Sequence, residues 1–257
     1  MKKKILDLLK KKNKSKIVCL TAYSRPIAKI LDKYCDIVLV GDSLATAMYG
    51  MKNTHHVNVE TMIQHGFSVK SNLVNALCVI DMPANSYKNV KKAKKNAKLI
   101  FKKTKCDAVK VECNGKNFEI IKSIVEIGIP VMGHIGFTPQ YYKKFKVQGI
   151  QEKDRLKLID QAKKNEKAGA FSIVLECVTA SVAKEITKLV KIPTIGIGAS
   201  IHCDGQILVT DDMLGLSGFY PRFVKRFVKL NNIIEKGIQK YKKLVLSKKF
   251  PSIKNTF

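Results

Sequence analysis

The sequence predicts an α/β protein, a (β/α)₈ TIM barrel with extra N- and C-terminal helices. Its 257 residues match the usual size of one such barrel, and short apolar runs alternate with helical periodicity along the chain. Three of these runs end in an acidic residue: Asp42, Asp81 and Glu112. Because a parallel barrel brings the C-terminal ends of all its strands to one face, these acids are expected to converge on one small site.

Eight apolar runs of four or five residues are predicted to be the strands. Each has the length and composition of a strand that is buried on both faces. The predicted strands are residues 17–21, 37–40, 77–80, 108–111, 130–134, 171–175, 193–197 and 206–209. Helices are expected between them, most clearly over residues 59–73 and 156–168, where apolar residues recur at helical spacing and Gly169 follows the second helix as a C-cap.

The alternation continues without a linker or repeat, so one domain is predicted over residues 1–257. Residues 1–15 are expected to form a helical plug at the bottom of the barrel, with residues 5–9 as its apolar part. Residues 222–257 are rich in lysine and carry Ile and Leu at helical spacing. They predict a helical extension and tail that packs on the barrel or on another subunit.

The chain carries 48 Lys and Arg against 20 Asp and Glu, a formal net charge of +28. Such an excess suits nucleic acid, an anionic membrane surface or an acidic substrate. The excess is mostly lysine, spread along the whole chain without Trp, whereas a nucleic-acid module concentrates basic and aromatic residues on one element. We therefore expect a solvated, lysine-rich surface and no nucleic-acid partner.

Seven cysteines form no C-x-x-C pair, and several lie within predicted strands. Buried, reduced thiols are the simplest interpretation and point to the cytoplasm. The lysine-rich N-terminus is too charged for a signal sequence, and no later run approaches the length of a membrane span. A cytoplasmic protein without a membrane partner is expected.

The three strand-end acids predict a divalent cation, Mg²⁺, because convergent carboxylates are hard oxygen ligands. Asp42 follows Gly41, which lets the backbone approach a ligand, and precedes Ser43, which adds a hydroxyl. A single Asp at a strand end is more often the N-cap of the next helix, and the same alternative applies to Asp81. The metal-site interpretation rests on three acids at three strand ends.

Lys110 and Glu112 are two residues apart on a predicted strand and therefore share one side of it, which in a barrel can be the interior. A buried lysine beside a carboxylate is either a functional pair or a structural ion pair. Glu176, at the end of another strand, is the candidate general base for removing a carbon-bound proton. His134 is a second candidate for proton transfer, although a single histidine is as often structural.

A series of motifs resembles those of the ketopantoate hydroxymethyltransferase family over nearly the full length of the chain. In order they are Thr-Ala-Tyr (21–23), Val-Gly-Asp-Ser-Leu (40–44), Asp-Met-Pro (81–83), Val-Lys-Val-Glu (109–112), Gly-His-Ile-Gly-Phe-Thr-Pro-Gln (133–140), Phe-Lys-Val-Gln-Gly (145–149), Leu-Glu-Cys-Val (175–178), Gly-Ile-Gly-Ala (196–199), Asp-Gly-Gln-Ile-Leu-Val (204–209) and Pro-Arg-Phe-Val (221–224). So many separate motifs in one order make the resemblance specific.

The resemblance implies a (β/α)₈ barrel that assembles as a homodecamer. It implies transfer of a hydroxymethyl group from 5,10-methylenetetrahydrofolate to 3-methyl-2-oxobutanoate through a Mg²⁺-stabilised enolate, giving 2-dehydropantoate in pantothenate biosynthesis. The implied site residues are Asp42, Asp81 and Glu112 for Mg²⁺, the last directly or through water; Asp42, Ser43, Asp81 and Lys110 for the keto acid; and Glu176 as proton acceptor, with His134 at an active-site position.

Four places depart from the family pattern: Ser24, Ala45, Thr179 and the pair Lys143-Lys144. They spare every implied ligand. They therefore bear on loop shape and folate affinity more than on the chemistry.

Two other functions stay open on the sequence. Another Mg²⁺-enolate barrel enzyme, of the isocitrate lyase or phosphoenolpyruvate mutase type, would share the architecture and the acids, but such lyases usually carry a Cys-Gly-His loop and this sequence has none. A non-enzymatic barrel that binds polyanions through its lysines is the other alternative, and the intact acids at the strand ends argue against it.

Overall fold

The computed structural model describes residues 3–142, 145–218 and 220–257. The chain divides after Val209 into two units, residues 1–209 and 210–257. In the first unit, the described residues form eight parallel strands that close into a barrel, each strand pairing with its neighbours in sequence and the last pairing with the first. This confirms the predicted (β/α)₈ fold. The single domain expected over residues 1–257 stays a prediction.

The strands lie close to where the apolar runs predict them. They are β1 (Ile17–Thr21), β2 (Ile37–Val40), β3 (Leu77–Asp81), β4 (Ala108–Glu112), β5 (Val131–Gly136), β6 (Ser172–Glu176), β7 (Thr194–Ile197) and β8 (Gly205–Leu208). Their Val, Ile and Leu residues suit a pleated, buried surface. Three of the strands end on an acid, Asp81, Glu112 and Glu176, so these side chains stand at the carboxyl end of the barrel.

Helices follow the strands around the barrel. In the first unit they are α1 (Lys3–Lys10), α2 (Arg25–Leu31), α3 (Leu44–Ala47), α4 (Val59–Lys70), α5 (Val90–Thr104), α6 (Phe118–Glu126), α7 (Glu152–Lys167) and α8 (Ala180–Leu189). Asn58 and Asn89 begin α4 and α5 by accepting a hydrogen bond from a backbone N–H of the first turn. Helix α7 begins four residues before its predicted start, with Glu152 and Asp154 in its first turn, where the helix dipole favours negative charge.

Successive side chains along each strand point to opposite faces, and the two faces form two separate hydrophobic cores. Inward side chains such as Ile37, Leu39 and Val79 form one buried cluster inside the barrel, and outward ones such as Val38 and Ile80 pack with the helices in another. Because the period is two residues, β4 turns Val109 and Val111 outward and Lys110 and Glu112 inward. The same alternation therefore fills the barrel with apolar residues below and places polar ones at its carboxyl end.

Helix α1 lies at the amino end of the strands. Its Ile5 and Leu8 are buried in the inner cluster together with Ile17 and Ile37, so the helix supplies part of the barrel's core. Just after the helix, Lys12 donates to the Asp204 carboxylate at 2.8 Å. This ion pair is almost fully buried, since the two side chains are 9% and 3% exposed.

The second unit contains α9 (Thr210–Met213) and α10 (Leu230–Leu246). Helix α10 has Ile234, Ile238 and Tyr241 at helical spacing, and all three are exposed. Among the described residues, no helix combines the length and the apolar content that a bilayer crossing requires.

Candidate active site

The sequence-predicted site residues meet at the carboxyl end of the barrel. Strand register explains why: Asp81 is level with Lys110 on the neighbouring strand, and Glu112 is level with His134. Five of these side chains are buried, namely Asp42, Asp81, Lys110, Glu112 and His134, while Ser43 and Glu176 are half-buried. One small region therefore concentrates charge that barrel interiors otherwise exclude.

A continuous set of polar contacts runs from β3 to β6. Lys110 Nζ lies 2.8 Å from Asp81 Oδ1 and 3.4 Å from His134 Nδ1. His134 Nδ1 is 3.5 Å from Glu112 Oε1, and its Nε2 is 3.1 Å from Glu176 Oε2. The imidazole therefore links the candidate base to the acidic cluster.

The two cationic groups hold their protons in this setting. Burial and the Lys110 charge lower the pKa of His134, but its interactions with Glu112 and Glu176 outweigh both and raise that pKa to about 9. Burial also lowers the pKa of Lys110, yet the charges of Asp81 and Glu112 raise it by more, so it lies above its ordinary value. Neutral pH therefore leaves an ammonium and an imidazolium among the acidic side chains.

The carboxyl group of Asp42 is buried close to two other acids. Burial first, and then the charges of Asp81 and Glu112, raise the pKa of Asp42 well above its ordinary value. Its backbone N–H donates to Asp81 Oδ2 at 3.0 Å, and the N-cap of α3 is Ser43. Asp42 is therefore not the N-cap of the following helix, and its carboxylate is one that a bound cation would stabilise.

The donor set fits Mg²⁺ through two carboxylates. Proteins usually hold this ion by one or two carboxylates, with water and substrate oxygens completing the shell. Asp42 and Asp81 offer such a pair. All three acids already accept hydrogen bonds: Asp81 Oδ2 from the backbone N–H of Asp42 at 3.0 Å, Asp42 Oδ2 from Gln140 Nε2 at 2.8 Å, and Glu112 Oε2 from the backbone N–H of Gln140 at 3.0 Å. In residues 3–142, 145–218 and 220–257, no group of three or more His, Cys, Asp or Glu side chains is arranged to hold a metal by itself. Whether Glu112 would bind such an ion directly or through water stays a prediction.

Two features position the Ser43 hydroxyl beside the acids: its hydrogen bond with Tyr23 and the absence of a side chain on Gly41. Its Oγ lies 2.8 Å from the hydroxyl of Tyr23, so the two groups share a hydrogen bond. A Cβ on Gly41 would come within 2.7 Å of the same Oγ. Gly41 thus makes room for the Ser43 hydroxyl, which the sequence had suggested as a ligand-facing group.

The backbone of the candidate base is fixed by a close approach between β5 and β6. Gly136 has φ +96°, and a Cβ there would overlap the carbonyl oxygen of Glu176. The next N–H, of Phe137, donates to that carbonyl at 2.8 Å. On the other side Cys177 adopts the left-handed region, with φ +53°. These two unusual backbone positions set the direction in which Glu176 leaves the strand.

Three residues near the acids were not singled out from the sequence. Gln140 donates through its Nε2 to Asp42 Oδ2 at 2.8 Å, and Tyr87 donates to the Gln140 amide oxygen. Tyr23 bonds to Ser43, as described above. Tyr23 and Gln140 lie in two of the family-like motifs, and that position could have identified them from the sequence. Tyr87 lies in a loop that contains no such motif.

The cysteines are free and buried, as their positions in apolar runs predicted. Two of them flank the site. Burial raises the pKa of Cys113 and of Cys177 to about 12. Since the nucleophile is the thiolate, neither residue is suited to covalent catalysis at neutral pH.

Three of the four departures from the family pattern lie within the described residues. Ala45 is buried in the short helix α3, and Ser24 precedes α2 without a side-chain cap. Thr179 donates to the carbonyl oxygen of Gly149 at 3.1 Å, which ties the loop after β5 to the start of α8. The pair Lys143-Lys144 lies outside the described residues.

Comparisons with known proteins identify the family of this chain. The profile of a family described as ketopantoate hydroxymethyltransferase matches residues 2–253. The 3-methyl-2-oxobutanoate hydroxymethyltransferase of Pelagibacter ubique (strain HTCC1062) is 51% identical over 257 residues and covers 100% of both chains. The enzyme of that name from Anaplasma marginale (strain Florida) is 48% identical, with 96% of this chain and 90% of the relative covered.

Solved structures share the barrel at low identity. A phosphoenolpyruvate phosphomutase from Streptomyces platensis subsp. rosaceus matches with TM-score 0.66 and 10% identity, over 99% of this chain and 90% of its own. A phosphonopyruvate hydrolase, solved with oxalate and Mg²⁺, matches with TM-score 0.63 and 10% identity, over 98% and 93%. At such identity these structures are similar to this chain in fold alone.

Proposed function

The chain belongs to the ketopantoate hydroxymethyltransferase family, and from that premise we propose that it transfers a hydroxymethyl group from 5,10-methylenetetrahydrofolate to 3-methyl-2-oxobutanoate, giving 2-dehydropantoate. A transferase activity follows from the family; the donor, the metal and the chemical route are the proposal. The observation that carries it is the contact network from Asp81 through Lys110 and His134 to Glu176 at one barrel mouth.

The acidic side of the site would bind the keto acid. We assign Asp42 and Asp81 to a Mg²⁺ ion, with Glu112 acting directly or through water. When bound, the ion supplies Lewis-acid stabilisation of the negative charge that develops on the substrate's keto oxygen. The protonated Lys110 would neutralise the substrate carboxylate, and the Ser43 hydroxyl would orient it.

Glu176 would remove the proton from C3 of the keto acid. It lies at the carboxyl end of β6 and is half-buried, and its Oε2 is 3.1 Å from His134 Nε2. The electrons of the broken C–H bond form the enolate. The bond from the methylene carbon to N10 of the folate breaks as N10 takes up a proton, which leaves an N5 iminium, and C3 of the enolate attacks the methylene carbon of that iminium. Water then displaces N5 from the methylene carbon: its oxygen becomes the hydroxyl of the product, its proton goes to N5, and tetrahydrofolate leaves. His134 would position Glu176 during the transfer.

Proton NMR of 3-methyl-2-oxobutanoate in D₂O, with enzyme and Mg²⁺ but no folate, tests the enolisation alone. We expect the C3 proton to exchange, with loss of exchange on chelation of Mg²⁺ and in Glu176→Gln. Glu119→Gln, an exposed acid on α6, is the matched control and should exchange like the wild type. Absence of exchange in the wild type, even after tetrahydrofolate is added, would contradict the proposed route.

We also propose that the chain assembles with further copies of itself, as the homodecamer that the family resemblance implies. The support within this chain is α10, whose Ile238 and Leu246 are 60% and 73% exposed. Covering such residues in an assembly would remove apolar surface from water. A cytoplasmic location is proposed from the buried, unpaired cysteines, which suit a reducing compartment.

A further inference from the structure

Gln140, in the loop between β5 and α7, forms hydrogen bonds to four residues around the barrel mouth. Its Nε2 donates to Asp42 Oδ2 at 2.8 Å and to the carbonyl oxygen of Met82 at 3.0 Å. Its backbone N–H donates to Glu112 Oε2 at 3.0 Å, and its Oε1 accepts from the hydroxyl of Tyr87. One residue thus contacts the segments that follow β2 and β3 and the last residue of β4.

The orientation of the Gln140 amide is determined by its partners. Both N–H groups of Nε2 face acceptors, a carboxylate oxygen and a carbonyl oxygen. A flipped amide would place Oε1 against the same two acceptors, which is repulsive. Tyr87, only 3% exposed, donates its hydroxyl to the remaining amide oxygen. The amide is therefore held by groups on both sides and presents a fixed donor to Asp42.

We propose that Gln140 is a positioning residue that orients the carboxylates of Asp42 and Glu112 for the metal and the keto acid, an inference that rests on the proposed function. A ligand carboxylate that is already held by a donor has less conformational freedom to lose when a cation binds. Groups that hydrogen-bond to metal ligands commonly set metal affinity in this way. Tyr87 completes the arrangement because it locks the amide.

The contacts of Gln140 lie on the metal side of the site. The base, Glu176, is held instead through His134. Loss of the Gln140 side chain is therefore expected to weaken metal and keto-acid binding while leaving the rate of proton removal at saturation nearly unchanged. A general structural defect would instead weaken binding and also lower the rate of proton removal.

The test is Gln140→Met, which keeps the side-chain length and the backbone N–H to Glu112 but removes the amide. Mn²⁺ binding is measured by electron paramagnetic resonance, with and without 3-methyl-2-oxobutanoate and without folate. We expect the Kd for Mn²⁺ to rise about 10- to 100-fold. The KM of the keto acid in deuterium exchange should rise, with kcat within about threefold of wild type. Gln148→Met is the matched control, since its side chain donates to the Lys146 carbonyl within the same loop.

Tyr87→Phe is a second variant. It removes the hydroxyl that fixes the orientation of the Gln140 amide and leaves the amide itself in place. It is expected to raise the Kd for Mn²⁺ by less than Gln140→Met does, and the double variant should bind no more weakly than Gln140→Met alone, because the two groups act as one unit. Additive losses would overturn the inference, as would wild-type Mn²⁺ affinity in folded Gln140→Met. If the wild type itself binds no Mn²⁺, the proposed metal site fails, and the inference fails with it.

Discussion

Gly136 connects backbone conformation to the position of the proposed base. Its φ of +96° strains any L side chain, and a Cβ would also overlap the Glu176 carbonyl oxygen. We predict that Gly136→Ala destabilises the protein by about 3 kcal/mol or more and abolishes deuterium exchange. Urea unfolding and the exchange assay measure the two effects.

Gly128→Ala is the control for Gly136→Ala. Gly128 has φ +81°, but a Cβ there would have no neighbour within 4 Å. Gly128→Ala should therefore lower the free energy of unfolding only by the strain of the left-handed region, about 1–2 kcal/mol, and leave deuterium exchange intact. Equal effects of the two substitutions would show that contact with Glu176 is unimportant.

Asp32 supports the turn before β3 through its charge. Its carboxylate accepts hydrogen bonds from the backbone N–H groups of Val74, Asn75 and Ala76 at 2.8 to 3.0 Å. Burial alone would raise the pKa of Asp32, but these bonds outweigh burial and hold it below its ordinary value. A lowered pKa contributes stability above the pKa of the unfolded state, about 4, and loses it as the pH falls through the folded value.

We therefore predict that Asp32→Asn lowers the free energy of unfolding by about 2 kcal/mol at pH 7. The difference from wild type should narrow as the pH falls below about 4, because the wild-type carboxylate then becomes protonated. Urea unfolding at a series of pH values measures this. A difference that stays constant over that range would mean that the charge of Asp32 contributes nothing.

At the scale of elements, α1 is attached to the barrel by a buried ion pair. Lys12 donates to Asp204 at 2.8 Å and to the carbonyl oxygen of Thr187 at 2.6 Å. Asp204 also accepts from the backbone N–H of Thr194 at 2.9 Å, so its charge stabilises the start of β7. The segment after α1 is thus joined to β7 and β8 at the amino end of the barrel.

Lys12→Met is predicted to destabilise the protein by about 3 kcal/mol, because it leaves the Asp204 carboxylate buried without its cation. Lys10→Met removes a lysine from an exposed pair with Asp7, whose side chains are 74% and 52% exposed, and should cost at most about 1 kcal/mol. Thermal or urea unfolding distinguishes the two. If Lys12→Met left the stability unchanged, water would be replacing the ammonium at no cost in free energy.

At the scale of the whole molecule, the exposed apolar residues of α10 make a prediction about assembly. Ile238→Asp should shift the protein to a species of lower mass in light scattering, since a charge cannot be buried in an apolar interface without cost. Lys236→Asp changes the opposite side of the helix and should leave the mass unchanged. An unchanged mass in Ile238→Asp would exclude this side of α10 as a subunit contact.

The sequence alone determined the strands, and it predicted the candidate site residues that lie at their ends. The eight strands follow from short apolar runs, and the shared side of Lys110 and Glu112 follows from the two-residue period of a strand. Asp81, Glu112 and Glu176 could be recognised because an acid at the end of an apolar run is unusual. All of these signals are local, extending over a few residues of one strand.

Tertiary structure alone decided how those residues are held. Closure of the barrel brings Asp81 to Lys110 and His134 to Glu176, and the loop after β5 carries Gln140 to Asp42. Tyr87 lies 53 positions from its partner, Gln140. The path of a loop depends on contacts with distant elements more than on its own residues, so no periodicity within the loop could have predicted these hydrogen bonds.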